Sequence, residues 1–126
     1  MGVITITPQL RTTSLESSIR FYTEKVGLEL AFRHADFYAG IRAPSGSFHL
    51  KHVDAADPSI GFVEKGGHLH LYLGVDDVDV FARRLTSADV ALVRTPHDTA
   101  WGTREVVFRD DQGHTIYAGM PARGGN

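Results

Sequence analysis

Four short stretches of this chain place polar or aromatic side chains at every second position. Thr7, Gln9 and Arg11 form one row. His49 and Lys51 form another, followed by His68, His70 and Tyr72, and then Thr115 and Tyr117. A period of two is the mark of a β-strand with two unlike faces. Imidazoles, hydroxyls, an amide and a guanidinium gathered on one face suit a small molecule held by directed hydrogen bonds. A polar face that is merely solvated shows the same alternation. The two differ in whether the fold brings the rows together around a cleft.

The elements that must position these rows occur twice. Residues 7–30 read as strand, helix, strand, and residues 70–93 repeat that order. Laying Thr7 on His70 sets Leu10 on Leu73, Leu15 on Val78 and Arg20 on Arg83; further along, His49 falls beside Tyr117. Such a repeat implies two similar modules related by a pseudo-two-fold axis. The expected architecture is α+β: two paired βαβββ modules that form a cup-shaped cleft, within one domain spanning residues 1–126. Module 1 is placed at about residues 3–53, a linker at 54–67 and module 2 at 68–120. At about 60 residues each, neither module would be more than marginally stable alone.

In more detail, residues 3–11 read as a half-buried strand with Ile4 and Ile6 on its apolar side. Ser14 is placed to cap a helix that buries Leu15, Ile19, Tyr22 and Val26, and Gly27 to stop it. Residues 28–34, 37–42 and 47–52 read as strands. The polar, Gly-containing stretch 54–67 reads as linker, and 68–74 as a regular alternating strand. Asp77 is a cap for a helix with Val78, Phe81, Ala82 and Leu85 inward. Strands follow at 91–95, 105–109 and 115–120. Residues 96–102 form a loop holding Trp101, the single tryptophan, and 110–113 form a turn. Residues 122–126 read as a disordered tail.

Composition narrows the function classes. The hydrophobic fraction is 42% and there is no cysteine, so disulfides, thiolate nucleophiles and Cys-ligated zinc are excluded. No run approaches the roughly 20 apolar residues of a spanning helix. No basic region followed by an apolar stretch opens the chain, so a cytoplasmic location is expected. The net charge is −2 with Lys and Arg scattered, which argues against nucleic acid as a partner. No Gly-x-Ser-x-Gly elbow is present, and Gly66-Gly67 lacks the Lys-Ser/Thr of a phosphate loop. Asp76-Asp77 and Asp110-Asp111 read as a cap and a turn, and His97 as a surface-loop histidine.

Several stretches resemble the vicinal oxygen chelate superfamily, which includes glyoxalase I, bleomycin resistance proteins and extradiol dioxygenases. Ser18-Ile19-Arg20-Phe21-Tyr22 with Val26-Gly27-Leu28 is similar to its first-helix signature. Trp101-Gly102-Thr103-Arg104-Glu105 with Asp110-Asp111-Gln112-Gly113 is similar to its C-terminal signature, without the usual proline in the turn. The resemblance implies a homodimer, with modules exchanged between chains, whose partners are a small molecule and a second copy, with neither nucleic acid nor membrane. It also places the four metal-ligand positions of the metal-dependent members on Thr7, His49, His70 and Tyr117. Two imidazoles suit Zn, Ni, Mn or Fe, but Thr7 is a poor ligand, Tyr117 an uncommon one, and neither is a carboxylate. Gln9 or His68 would serve only after a register change. No cofactor is therefore favoured. The alternative is a divalent metal on His49 and His70, serving a glyoxalase-type lyase or isomerase or a dioxygenase.

The nearer likeness is to the bleomycin resistance proteins. It implies that a planar ligand stacks on Tyr38 or Phe37, in Asp36-Phe37-Tyr38-Ala39-Gly40, and on Trp101. His49, His70, Tyr117, Gln9 and Arg11 would orient the ligand. The expected function is sequestration of a small aromatic natural product or drug without chemistry. Arg11, Lys51 and the histidines favour an anionic or neutral ligand over a polycation.

Overall fold

Ser14 opens the first helix: its backbone is extended and its side chain accepts the Ser17 N–H at 3.3 Å. In the computed structural model, which describes residues 2–3 and 5–122, α1 covers Leu15–Arg20 and buries Leu15, Ser18 and Ile19. The chain then widens into a π-helical turn over Phe21–Val26. The five-residue spacing of that turn keeps Phe21, Tyr22 and Val26 on the buried side together. Gly27 ends it at φ +92°, a conformation a Cβ disfavours.

Four strands receive this helix: β1 (Gln9–Thr12), β2 (Glu29–His34), β3 (Tyr38–Ala43) and β4 (Gly46–His52). Their order is β1-β4-β3-β2, with β1 parallel to β4 and the other pairs antiparallel. Leu10, Ala39, Ile41, Phe48 and Leu50 point to the helix side and are buried. The Tyr22 ring meets Phe48 edge-on at 4.9 Å. Burial of each such large side chain stabilises by about 1.5–3 kcal/mol.

The second unit, divided from the first between Gly61 and Phe62, repeats the plan. After a short helix α2 (Ser59–Glu64) come β5 (Leu71–Gly74), α3 (Val78–Ser87), β6 (Leu92–Asp98), β7 (Thr103–Arg109) and β8 (Thr115–Pro121). The sheet order β5-β8-β7-β6 matches that of the first unit, again with one parallel pair. Asp77 caps α3 by accepting the Val80 N–H at 3.1 Å. Val78, Ala82 and Leu85 are buried with Val106, Phe108 and Ile116. The parallel registers show the repeat directly: Gln9 stands opposite His49, and Tyr72 opposite Tyr117. The α+β arrangement of two βαβββ modules is thus present. Among the described residues no helix is long and apolar enough to cross a membrane.

Several boundaries differ from the sequence reading, each for a local reason. The first strand begins at Gln9, not residue 3. The β1–β4 ladder starts only after Pro8, whose carbonyl accepts the His49 N–H at 2.8 Å, and Ile6 is 89% exposed instead of apolar-side. Ile4 lies outside the described residues, as does the expected tail from residue 123 on. The strand expected from His68 begins at Leu71, because Gly66 and Gly67 turn back to cap α2 through Gly66 N–H to Val63 C=O and Gly67 N–H to Phe62 C=O. The stretch read as linker holds α2, whose Ile60 and Val63 are buried. β6 runs through Pro96 and His97 to Asp98, so the loop is shorter than expected. Phe81 is only half-buried; it leans on Phe108 with ring centroids 6.0 Å apart.

Candidate functional site

The face of the first sheet opposite α1 carries a connected polar row. Gln9 and Arg11 project from β1, His49 from β4 and Tyr38 from β3. Arg11 Nε donates to Gln9 Oε1 at 3.3 Å, and Gln9 Nε2 donates to Tyr38 Oη at 3.2 Å. Tyr38 Oη and His49 Nδ1 are 2.9 Å apart. The phenol accepts from the Gln9 amide, and the direction of its bond to Nδ1 follows the His49 tautomer. Arg11 is also paired with Asp57 at 3.1 Å, which offsets its charge. The Asp57 carboxyl is held below its ordinary value, first by the Ser59 hydroxyl and backbone N–H and then by Arg11.

An aromatic group that the sequence reading missed completes this face. Phe32 on β2 stands opposite Gly40, stacks on Tyr38 at 6.2 Å and meets His49 edge-on at 5.2 Å. The bulge between Leu30 and Phe32 puts Phe32 on the polar face. Only that bulge, invisible in the alternation of residues 28–34, would have revealed it. Phe37 instead lies in the turn before β3, exposed and stacked on His34 at 6.4 Å. Of the two candidate stacking residues, Tyr38 is the one on the sheet face.

In the second unit, His70 lies just before β5 with its ring 6.0 Å from that of Tyr117 on β8. His70 Nε2 is bonded to the Gly66 carbonyl at 3.0 Å, and the Thr115 hydroxyl donates to the same carbonyl. Tyr72, on β5, donates to Glu105 Oε2 at 3.0 Å. Thr103 Oγ1 donates to the same oxygen at 2.9 Å. Tyr72 is 54% exposed as a residue, but desolvation at its hydroxyl end, then the hydrogen bond and charge of Glu105, raise the phenol above its ordinary value. His97 stands opposite Glu105 on β6 rather than in a free loop, its Nδ1 bonded to the Thr95 carbonyl at 2.8 Å. Trp101 sits at the tip of the β6–β7 hairpin, 74% exposed.

The structure therefore joins Gln9, Arg11, Tyr38 and His49 in one unit, and His70 and Tyr117 in the other. The four positions carried over for a metal supply one imidazole and one hydroxyl side chain per unit: Thr7 and His49, His70 and Tyr117. His49 Nδ1 and His70 Nε2 are already in hydrogen bonds. Within either unit, no three His, Asp or Glu among the described residues gather to hold an ion. Neither unit by itself supplies the three or four protein ligands that a divalent metal needs.

Comparison with known proteins agrees with the architecture. A search of curated proteins finds no match to this sequence. Among solved structures, an antibiotic-binding protein from Streptomyces sp. CB03234, TnmS3, is 26% identical with a TM-score of 0.71, covering 97% of this chain and 100% of that one. A bleomycin resistance determinant encoded on the transposon Tn5 is 19% identical with a TM-score of 0.75, covering 94% and 98%. A lactoylglutathione lyase from Agrobacterium tumefaciens is 18% identical with a TM-score of 0.71, covering 91% and 92%. The family model of the Glyoxalase/Bleomycin resistance protein/Dioxygenase superfamily matches residues 4–117, nearly the whole length, and the chain belongs to that superfamily.

Proposed function

We propose that this protein sequesters a small planar aromatic compound, a natural product or drug, by binding without turnover. The observation that carries the reading is the face of the first sheet, where Phe32, Tyr38 and His49 form an aromatic cluster wired to Gln9 and Arg11. Stacking on such rings contributes of order 1 kcal/mol beyond area burial, and the hydrogen-bond row fixes orientation. On the first unit Tyr38 supplies the stacking surface and His49, Gln9 and Arg11 orient the ligand; on the second, Trp101 is the stacking candidate and His70 and Tyr117 the orienting ones. The antibiotic-binding relative supports the same reading.

Binding of this kind needs no metal, and the donor set favours that choice over a lyase or dioxygenase built on His49 and His70. The setting we propose is a cytoplasmic homodimer conferring drug resistance by capture. Leu30 on β2 and Val93 on β6 are exposed apolar side chains on sheet-edge strands that a second copy would cover. The test uses the single tryptophan as reporter. Planar tricyclic and anthraquinone antibiotics are titrated against the intrinsic fluorescence and, in parallel, by calorimetry. Saturable one-site binding with micromolar or tighter Kd supports the reading. Absence of binding across the panel, with turnover of a glutathione hemithioacetal or a catechol after metal loading, overturns it.

A further inference from the structure

Glu105 is a charged residue in an unusual position. It is 5% exposed, on the central strand β7, and faces the side of the second sheet that α3 does not cover. Both hydrogen bonds it accepts, from Tyr72 and Thr103, converge on Oε2. Oε1 has no partner among the described residues, yet it is not sealed from solvent. A carboxylate this buried is costly unless its acceptor capacity is used. The surroundings hold it in place. Tyr72 lies across Gly119, where any Cβ would overlap the phenol. Thr103 is locked to Thr99 by Thr103 N–H to Thr99 Oγ1 at 3.1 Å and Thr99 N–H to the Thr103 carbonyl at 2.8 Å. That pair closes the hairpin that carries Trp101.

We propose that Glu105 is a ligand-recognition residue, offering Oε1 to an N–H donor, a protonated amine above all, on the planar ligand. The proposal rests on the binding function above and deepens it by naming what the ligand carries. A site built around an acceptor rejects analogues that lack the donor, because the acceptor is then left desolvated and unpaired. The basic residues that point to an anionic ligand in the sequence do not stand alone in the structure. Arg11 is paired with Asp57, whereas Glu105 has no cationic partner among the described residues.

The experiment compares two tricyclic probes of one shape by calorimetry at pH 7.5. Proflavine is cationic with amino N–H donors; acridine is neutral at that pH and has none. Wild-type protein is expected to bind proflavine at least tenfold more tightly. Glu105→Gln is expected to weaken proflavine about tenfold and leave acridine within twofold. Tyr72→Phe keeps the ring over Gly119 and removes one bond to Oε2; it is expected to cut the discrimination at least threefold. That variant decides the matter if Glu105→Gln does not fold by circular dichroism. Equal binding of both probes, unchanged in the variants, overturns the role of Glu105 while the binding function stands. If neither probe nor any member of the antibiotic panel binds, both fall together.

Discussion

Phe32 lies against the backbone of Gly40 so closely that a methyl group at Gly40 would overlap its ring. The second unit uses the same device, with Tyr72 over Gly119. In each sheet a missing Cβ lets an aromatic ring lie low on the face that the helix does not cover. Gly40→Ala is therefore expected to push Phe32 off the surface. Phe32 is 36% exposed and can swing away, so the cost falls near the low end of overpacking, about 1 kcal/mol. Phe32→Ala in the Gly40→Ala background has no ring left to displace. Urea unfolding of the two single variants and the double variant should show coupling, with a combined loss smaller than the sum. Strict additivity would mean the ring does not rest on Gly40 in solution.

Trp101→Ala should separate binding from stability. At 74% exposure the indole contributes little to folding, so the unfolding free energy is expected to change by no more than about 0.5 kcal/mol. Affinity for a planar ligand is expected to fall at least tenfold. Calorimetry is the right readout, since the variant has lost its fluorescent reporter. Unchanged affinity would remove Trp101 from the site.

Asp77→Ala tests the energetic role of a cap read from sequence. The side chain satisfies the Val80 N–H, one of the orphan donors at the start of α3. Its loss should cost about 1 kcal/mol. Ser14→Ala, at the equivalent place on α1, removes a longer bond of 3.3 Å and should cost less. Chemical denaturation of both variants gives the comparison; equal or reversed costs would break the link between cap geometry and stability.

The caps, the stop at Gly27 and the duplicated order of elements were legible because each is a local signal. Ser14 and Asp77 precede apolar periodicity, and Gly27 takes the positive φ that the helix end needs. Gln9, His49, His70 and Tyr117 were legible by alternation, and Tyr38 only through the family resemblance. Phe32 and Glu105 were not. A bulge shifts the face of Phe32, and Glu105 opens a run, Val106-Val107-Phe108, that is buried on both sides and so shows no alternation. Counting back from Arg109 opposite Thr115 gives Glu105 the same parity as Tyr117, but that register exists only once β8 is paired. Ile6 failed in the opposite way: alternation suggests an apolar face, but no strand forms there to use it.

Acid stability should depend on Asp57. Its carboxyl is held below the ordinary range by Ser59 and then Arg11. A depressed folded-state pKa contributes stability that is present above the unfolded value, near 4, and lost as pH falls through the folded value. Asp57→Asn is expected to be less stable than wild type at pH 7, and its stability should fall less steeply between about pH 4 and pH 2. Urea midpoints measured across that range decide it. Parallel curves would show that Asp57 is solvated like any surface carboxylate.

The alkaline limb tests the Tyr72–Glu105 bond without any ligand. Burial first, then the hydrogen bond and charge of Glu105, raise the Tyr72 phenol above its ordinary value near 10. A raised folded-state pKa means that the associated stability is present below the unfolded value and is lost as pH rises through the folded one. Tyr72 should then contribute a late-ionising step to an absorbance titration at about 295 nm, beside whatever the wholly buried Tyr22 contributes. Tyr72→Phe should delete that late step and identify it. Glu105→Gln should bring the step to lower pH by removing the negative neighbour, while burial keeps it above the value of a free phenol. If Glu105→Gln leaves the step where it was, the carboxylate is not bonded to Tyr72 in solution. Oε1 would then lack the rigid support that makes it selective for a donor.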